Sequence, residues 1–135
     1  MRFSGLEALP VHAPVAEVTV GASTYDLHND ARLEQIEIRR DAREVLLRWK
    51  ANGPSWRGEG GRVLAGIAIR CTGVTNCTTT GSLISEPRVE RVDLDFIEYS
   101  EEKSGRGLLR FVMDNESEIA VVAETCELTT VTMHA

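Results

Sequence analysis

The sequence predicts a mainly β protein, either an antiparallel β-sandwich or a barrel-like domain of about eight strands. Apolar and charged residues alternate with a period of two through residues 33–50, as they do in half-buried strands. Comparable segments recur about every ten residues in the rest of the chain, separated by turn-forming residues. No segment carries the apolar spacing of an amphipathic helix over several turns.

Residues before this region give weaker signals. Residues 1–16 show no sustained period, which predicts an N-terminal arm with at most one short strand. A strand is expected at Glu17–Val20. Residues 21–29, GASTYDLHN, are rich in turn-forming types, and we expect Tyr25 and Leu27 to anchor this passage to the core.

The clearest element is a hairpin within residues 33–50, LEQIEIRRDAREVLLRWK. If the chain reverses at Asp41 and Ala42, apolar residues face each other on one side of the ribbon and polar residues on the other. The expected apolar pairs are Ile38–Val45 and Ile36–Leu47, and the polar pairs are Arg39–Glu44 and Gln35–Arg48.

Glycine-rich or charged loops separate the later strands. The density of glycine in residues 51–62 predicts a loop. Further strands are expected at residues 63–71, 74–80, 90–99, 108–113, 119–123 and 126–132, with loops at 81–88 and 100–107 and a turn at 114–117. The strand at 63–71 is expected to be central, and the threonine-rich strand at 126–132 to lie at a sheet edge. In the hairpin of residues 108–123 we expect Met113 opposite Glu118, Phe111 opposite Ala120 and Leu109 opposite Val122.

Composition restricts the class of protein. Hydrophobic residues make up 42 % of the 135 residues, which is typical of a globular protein, and we expect one domain over residues 1–135. No apolar run approaches the roughly 20 residues of a membrane helix, and no secretory signal is visible. We therefore expect a cytoplasmic protein with no membrane partner. The three cysteines, Cys71, Cys77 and Cys126, are expected to be reduced and to serve as small buried apolar residues, with a reactive thiol as the alternative.

The charge distribution points to a protein partner. A net charge of −6 argues against nucleic acid. Residues 32–62 hold eight basic and five acidic groups, whereas residues 90–127 hold four basic and eleven acidic groups. The acidic last third would suit a basic partner, although a solvated surface has the same composition. A second copy of the chain, paired through the strand at 127–132, is a further expected partner.

Candidate binding residues are His28, Asp30, Trp56, Asp93 and Asp95. His28 and Asp30 belong to the densest cluster of ligand-type side chains, yet the other histidines, His12 and His134, lie near the termini. We therefore expect neither a metal nor another cofactor. His28 is interpreted as a structural hydrogen-bonding residue, with a metal-binding or catalytic role as the alternative.

Two further features have two interpretations each. The alternation places Asp93 and Asp95 on one face of a strand. They are either an acid–base pair or part of the solvent-exposed face of that strand. Trp56, in the glycine-rich loop, either caps the core or contacts a ligand. No catalytic residue is assigned, because none of the familiar nucleophile, phosphate-loop or zinc motifs is present.

Two passages, YDLHNDARLEQIEIRRDAREVLLRW and GIAIRCTGVTNCTTT, resemble small bacterial all-β proteins of unknown function. In these proteins a His-Asp-Ser/Ala stretch opens a strand and a hairpin; here Asn29 separates His28 from Asp30. Some of them are immunity proteins of polymorphic toxin systems, so the resemblance implies a protein-binding role without catalysis.

The sequence leaves three hypotheses about function. The first is a non-enzymatic protein-interaction domain, either an immunity or an accessory protein. The second is a small-molecule-binding β domain with a pocket in the sheet interior and Trp56 or Trp49 at its mouth. The third is a hydrolase or isomerase that uses His28 with Asp30, or Asp93 with Asp95.

Overall fold

The computed structural model describes residues 1–81 and 92–133, and within them eleven β-strands form a mainly β, sandwich-like fold. The strands are β1 (Arg2–Ser4), β2 (Glu17–Val20), β3 (Ser23–Asp26), β4 (Ala31–Arg39), β5 (Glu44–Ala51), β6 (Leu64–Thr72), β7 (Asn76–Thr80), β8 (Leu94–Glu101), β9 (Gly107–Met113), β10 (Glu118–Ala123) and β11 (Thr125–Thr132). Two short 3-10 helices lie at Glu59–Gly61 and Lys103–Gly105. Residues 82–88 of the expected loop, Glu90 and Arg91 of the expected strand, and His134 lie outside the described residues.

The hairpin of β4 and β5 has the register that its sequence predicts. Ile38 is opposite Val45, Ile36 opposite Leu47, Arg39 opposite Glu44 and Gln35 opposite Arg48. The backbone N–H of Arg43 donates to the Arg40 oxygen at 3.2 Å and closes the turn over Asp41 and Ala42. Val45, Leu47 and Trp49 are buried, so one face of this ribbon contributes to the core.

Two larger sheets and one small one make up the fold. The first sheet has the order β1-β11-β6-β5-β4, which confirms that the strand at 63–71 is central. The second has the order β7-β10-β9-β8, and β2 and β3 form a two-stranded sheet. In the described residues neither larger sheet closes on itself, so the fold is sandwich-like and not a closed barrel. One cluster of buried apolar side chains draws on both larger sheets and on β2 and β3.

The N-terminal arm contains the one short strand that was expected, and the turn-rich passage is more ordered than predicted. β1 pairs in parallel with the start of β11, and Val11 and Val15 form isolated bridges to β8. Within 21–29, residues Ser23–Asp26 form β3, which the turn-forming composition concealed. Tyr25 and Leu27 are buried, as predicted.

The predicted register of the β9–β10 hairpin is wrong by one residue. Ile119 lies opposite Phe111 and Val121 opposite Leu109, which places these four buried side chains on the core face. The loop has three residues, Asp114 to Glu116, one fewer than the expected turn at 114–117, and Glu116 adopts a left-handed conformation with φ of 68°. A three-residue loop that ends in a left-handed residue shifts the pairing, and a one-residue shift exchanges the two faces of a strand.

The alternation predicted for residues 90–99 is interrupted by a bulge. The β8–β9 register shifts between Leu94 and Phe96, and Asp95 is the additional residue. Leu94 and Ile97 are therefore both buried, whereas Phe96 is only half-buried. A bulge of this kind changes which side chains face the core without a signature in the apolar pattern.

β11 is not the simple edge strand that its threonines predicted. Arg2–Ser4 of β1 lie beside Thr125–Glu127, so the first part of β11 is enclosed between β1 and β6. At Gly5 the chain turns away with φ of +79°, so close to β11 that a Cβ atom would lie 2.1 Å from the Leu128 oxygen. In the described part of the chain, nothing pairs with residues 129–132 on the side away from β6.

Candidate functional site

Asp26 organises the turn that leads into β4. Its carboxylate accepts the backbone N–H groups of His28 and Asn29, each at 2.9 Å, and the Asn29 side-chain amide at 2.9 Å. Partial burial acts to raise the pKa of Asp26, but these hydrogen bonds and the nearby His28 outweigh it and hold the pKa below its ordinary value. A carboxylate that accepts several N–H groups is stabilised in its charged form. Asp26 therefore shapes the turn as an anion.

His28 connects this turn to the second sheet. Its Nδ1 lies 2.6 Å from the backbone oxygen of Leu94, at the start of β8. A carbonyl oxygen only accepts, so Nδ1 is the donor in this contact. The geometry matches the structural interpretation of His28. Asp30 is exposed, and within the described residues no hydrogen bond or ion pair joins its side chain to His28.

Asp93 and Asp95 have different environments. Asp93 precedes β8 and is half-buried; its backbone N–H donates to the Asp114 carboxylate at 3.2 Å, and its backbone oxygen accepts from Asp114 N–H at 2.9 Å. Asp95 is exposed on the bulge. Because the bulge interrupts the period of two, the sequence spacing no longer places both side chains on one face.

Trp56 folds back onto the core. It is 3 % exposed, and its ring meets Tyr25 edge-on with the centroids 5.3 Å apart. The Tyr25 hydroxyl donates to the Arg57 backbone oxygen at 2.6 Å, which fixes the loop beside the tryptophan. Trp49 is also buried. The arrangement matches the capping interpretation, since neither indole is presented to a ligand at the surface.

The three cysteines are free thiols within the core. Cys71 and Cys126 are directly opposite each other on β6 and β11. The hydrogen bond that the Cys71 thiol makes to Cys126 and the burial of Cys71 raise the pKa of this thiol, and a neutral buried thiol is a poor nucleophile. Among the residues that the structure describes, no group of three or more His, Cys, Asp or Glu side chains is arranged to hold a metal ion. In the same residues, no helix has the length and apolar character needed to cross a membrane.

A cleft of about 460 Å³ lies between the turn of the β4–β5 hairpin and the start of β7. Its lining comprises Ile38, Arg39, Arg40, Arg43, Glu44, Val45, Val74, Thr75, Asn76 and Cys77. Sequence reasoning did not identify this cleft, because its two walls come from different sheets. The excess of basic residues in 32–62 was its only signal in the sequence.

The second candidate site is residues 129–132, which we call the open half of β11. Thr129, Thr130 and Val131 are exposed, and Val131 and Met133 are 45 % and 59 % exposed, unusually high for large apolar side chains. Residues 128–133, LTTVTM, carry no charge.

Comparison with known proteins leaves function open. No family model and no curated protein matches the chain. A crystal structure of an uncharacterized protein from Neisseria gonorrhoeae is similar, at 14 % sequence identity and a TM-score of 0.47, over 73 % of this chain and 89 % of that chain.

Proposed function

We propose that this chain is a non-enzymatic protein-interaction domain whose partner adds an extended strand to the open half of β11. Strand addition at a sheet edge is a common mode of protein recognition, in which backbone hydrogen bonds supply affinity. The observation that carries the proposal is a strand edge that no described residue pairs with, which has no charge and which exposes Val131 and Met133.

The opposite edge of the same sheet supports this choice by contrast. β4 has charged side chains at Arg32, Glu34, Glu37 and Arg39, and its pairing with β5 is irregular between Leu33 and Gln35. Charges and bulges are the features that protect sheet edges from pairing with other chains. The open half of β11 also has a register irregularity, between Val131 and Thr132, but it carries no charge, so we assign the interaction to it.

The proposed partner strand carries basic side chains. The chain has a net charge of −6. Arg110 neutralises Glu98 and Glu118, with N–O distances of 2.7 and 2.6 Å. Other carboxylates of the last third remain exposed, namely Asp95, Glu101, Glu102, Asp114, Glu116 and Glu124. Binding should therefore weaken as ionic strength rises, and a salt-insensitive complex would contradict a basic partner. The resemblance to immunity proteins would make the natural partner a toxin, and the product of a neighbouring gene would be the first to test.

A fluorescent, end-capped peptide of alternating valine and lysine provides a direct test by anisotropy. We expect saturable binding. Binding should be lost when the peptide is N-methylated on the backbone edge that faces β11. This modification keeps the side chains but removes the backbone N–H groups that would donate to β11. Val131→Lys should weaken binding about tenfold, since it places a charge beside the edge. Gln35→Lys adds the same charge on β4 and should leave binding unchanged.

The competing occupant is a second copy of the chain. Light scattering after size exclusion distinguishes the two: a wild-type dimer that Val131→Lys converts to a monomer would replace the proposed partner with self-association. Equal binding of the plain and N-methylated peptides would also contradict strand addition.

A further inference from the structure

Hydrogen bonds join the two walls of the cleft between the β4–β5 turn and the start of β7. The Arg43 Nε donates to the Val74 backbone oxygen at 3.1 Å, and the Val74 backbone N–H donates to the Arg43 oxygen at 3.0 Å. An Arg40 terminal nitrogen lies 3.4 Å from the Cys77 backbone oxygen. A guanidinium has five N–H donors, so each arginine keeps donors beyond those used to join the walls.

Among the described residues, Arg40 and Arg43 form no ion pair with the carboxylates near them in the sequence. Glu44, which also lines the cleft, pairs with Arg70 at 2.7 Å, and Glu37 pairs with Arg39 at 2.8 Å. Asp41, on the turn, accepts the Ala42 backbone N–H at 3.0 Å. In residues 1–81 and 92–133, neither Arg40 nor Arg43 forms an ion pair. A chain with a net charge of −6 thus has a local concentration of positive charge.

The rest of the cleft is largely apolar. Ile38, Val45 and Val74 contribute aliphatic side chains, and Cys77 contributes a thiol. Burial raises the pKa of Cys77, although the charge of Arg40 opposes this, so the thiol is neutral at pH 7 and does not repel an anion. A volume of about 460 Å³ lies within the range of small-molecule pockets, which combine apolar walls with a few convergent polar groups.

We propose that this cleft binds a small organic anion. Its carboxylate, sulfonate or phosphate group contacts the guanidinium groups of Arg40 and Arg43, and its apolar body contacts Ile38, Val45 and Val74. Arginine suits this role because its planar fork donates paired hydrogen bonds to an oxyanion. The site is distinct from the open half of β11, so the two proposals can fail independently.

The test uses 1-anilinonaphthalene-8-sulfonate, an anionic apolar dye whose fluorescence rises on burial. We expect saturable binding to the folded chain and displacement by octanoate but not by octanol, which has the same alkyl length without the charge. Arg40→Gln and Arg43→Gln should each weaken dye binding about tenfold, the value of one lost charge-assisted contact. Arg48→Gln removes the same charge from an exposed position on β5 outside the cleft and should leave binding unchanged.

Several outcomes would overturn the proposal. Equal displacement by octanol and octanoate would show that charge is not recognised, and this comparison needs no variant that could misfold. Binding that survives in both Arg40→Gln and Arg43→Gln would place the dye elsewhere. Displacement by inorganic phosphate at the same concentration as octanoate would restrict the ligand class to phosphate itself and contradict a role for the apolar wall.

Discussion

His28 donates a hydrogen bond from Nδ1 to the backbone oxygen of Leu94 at 2.6 Å. The contact joins the turn that precedes β4, in the first sheet, to the first residue of β8, in the second. Leu94 is fully buried, so water has limited access to this region if the donor is removed. The imidazole thus connects the two layers of the sandwich through a polar contact.

We expect His28→Ala to lower the free energy of unfolding by about 1–2 kcal/mol, because a buried carbonyl loses its donor. His28→Asn is the matched control, since its side-chain amide can donate from nearly the same position as Nδ1 and should retain part of the stability. Urea denaturation at neutral pH measures both. Equal losses for the two variants would show that the imidazole contributes through packing rather than through this hydrogen bond.

Asp26 should make stability depend on pH in the acidic range. Its pKa is lower in the folded chain than the ordinary value of 3.8, so the folded state binds this proton less readily than the unfolded state. The stabilisation is therefore fully present above the unfolded pKa and is lost as pH falls through the folded pKa. We expect Asp26→Asn to be less stable than wild type at pH 7, with the difference shrinking below about pH 4.

Asp26→Ala provides the control for this pH dependence. Asparagine can still accept N–H groups through its side-chain oxygen, whereas alanine cannot, so the alanine variant should keep part of its deficit at low pH. Thermal unfolding of the three proteins across the acidic range measures the difference. A deficit in Asp26→Asn that does not change with pH would contradict a role for the carboxylate charge.

Glu116→Gly should stabilise the protein. Glu116 has φ of 68°, a conformation that costs a residue with a Cβ atom more than it costs glycine. We expect a gain of about 0.5–1 kcal/mol after the entropic cost of glycine in the unfolded chain. Glu102→Gly makes the same chemical change at an exposed residue with φ of −111° and should not stabilise. A gain at both positions would point to lost charge repulsion instead of backbone strain.

Glu116 also shows why the register of one hairpin could be predicted from the sequence and the register of another could not. The β4–β5 register follows from local alternation on both sides of Asp41 and Ala42, so pattern alone was sufficient. The β9–β10 register depends on the left-handed conformation of Glu116, a residue type that rarely adopts it, and the apolar pattern does not record that choice.

Contacts between distant parts of the chain were beyond prediction for a different reason. The parallel pairing of Arg2 with Thr125 joins opposite ends of the sequence. The cleft brings Arg43 to Val74 from two different sheets. Sequence periodicity specifies which face of a strand is apolar, but it does not specify which strands become neighbours. The cleft depends on such neighbours and was not identified in advance. The strand at 127–132 was expected to pair with a second copy of the chain, but the sequence does not show that β1 covers its first part and leaves residues 129–132 open.

Substitutions of Trp56 test whether this side chain, in the glycine-rich loop of residues 51–62, caps the core. In the described part of the chain its indole N–H has no hydrogen-bond partner, so Trp56→Phe removes an unsatisfied donor while keeping an aromatic ring against Tyr25. We expect it to cost less than about 1 kcal/mol, whereas Trp56→Ala should cost about 3–5 kcal/mol because it leaves a cavity. Urea denaturation compares the two. In the wild-type protein, iodide should quench tryptophan fluorescence only weakly, because both indoles are buried. Strong quenching that disappears in Trp56→Phe would place Trp56 at the surface and return it to the candidate ligand-binding residues.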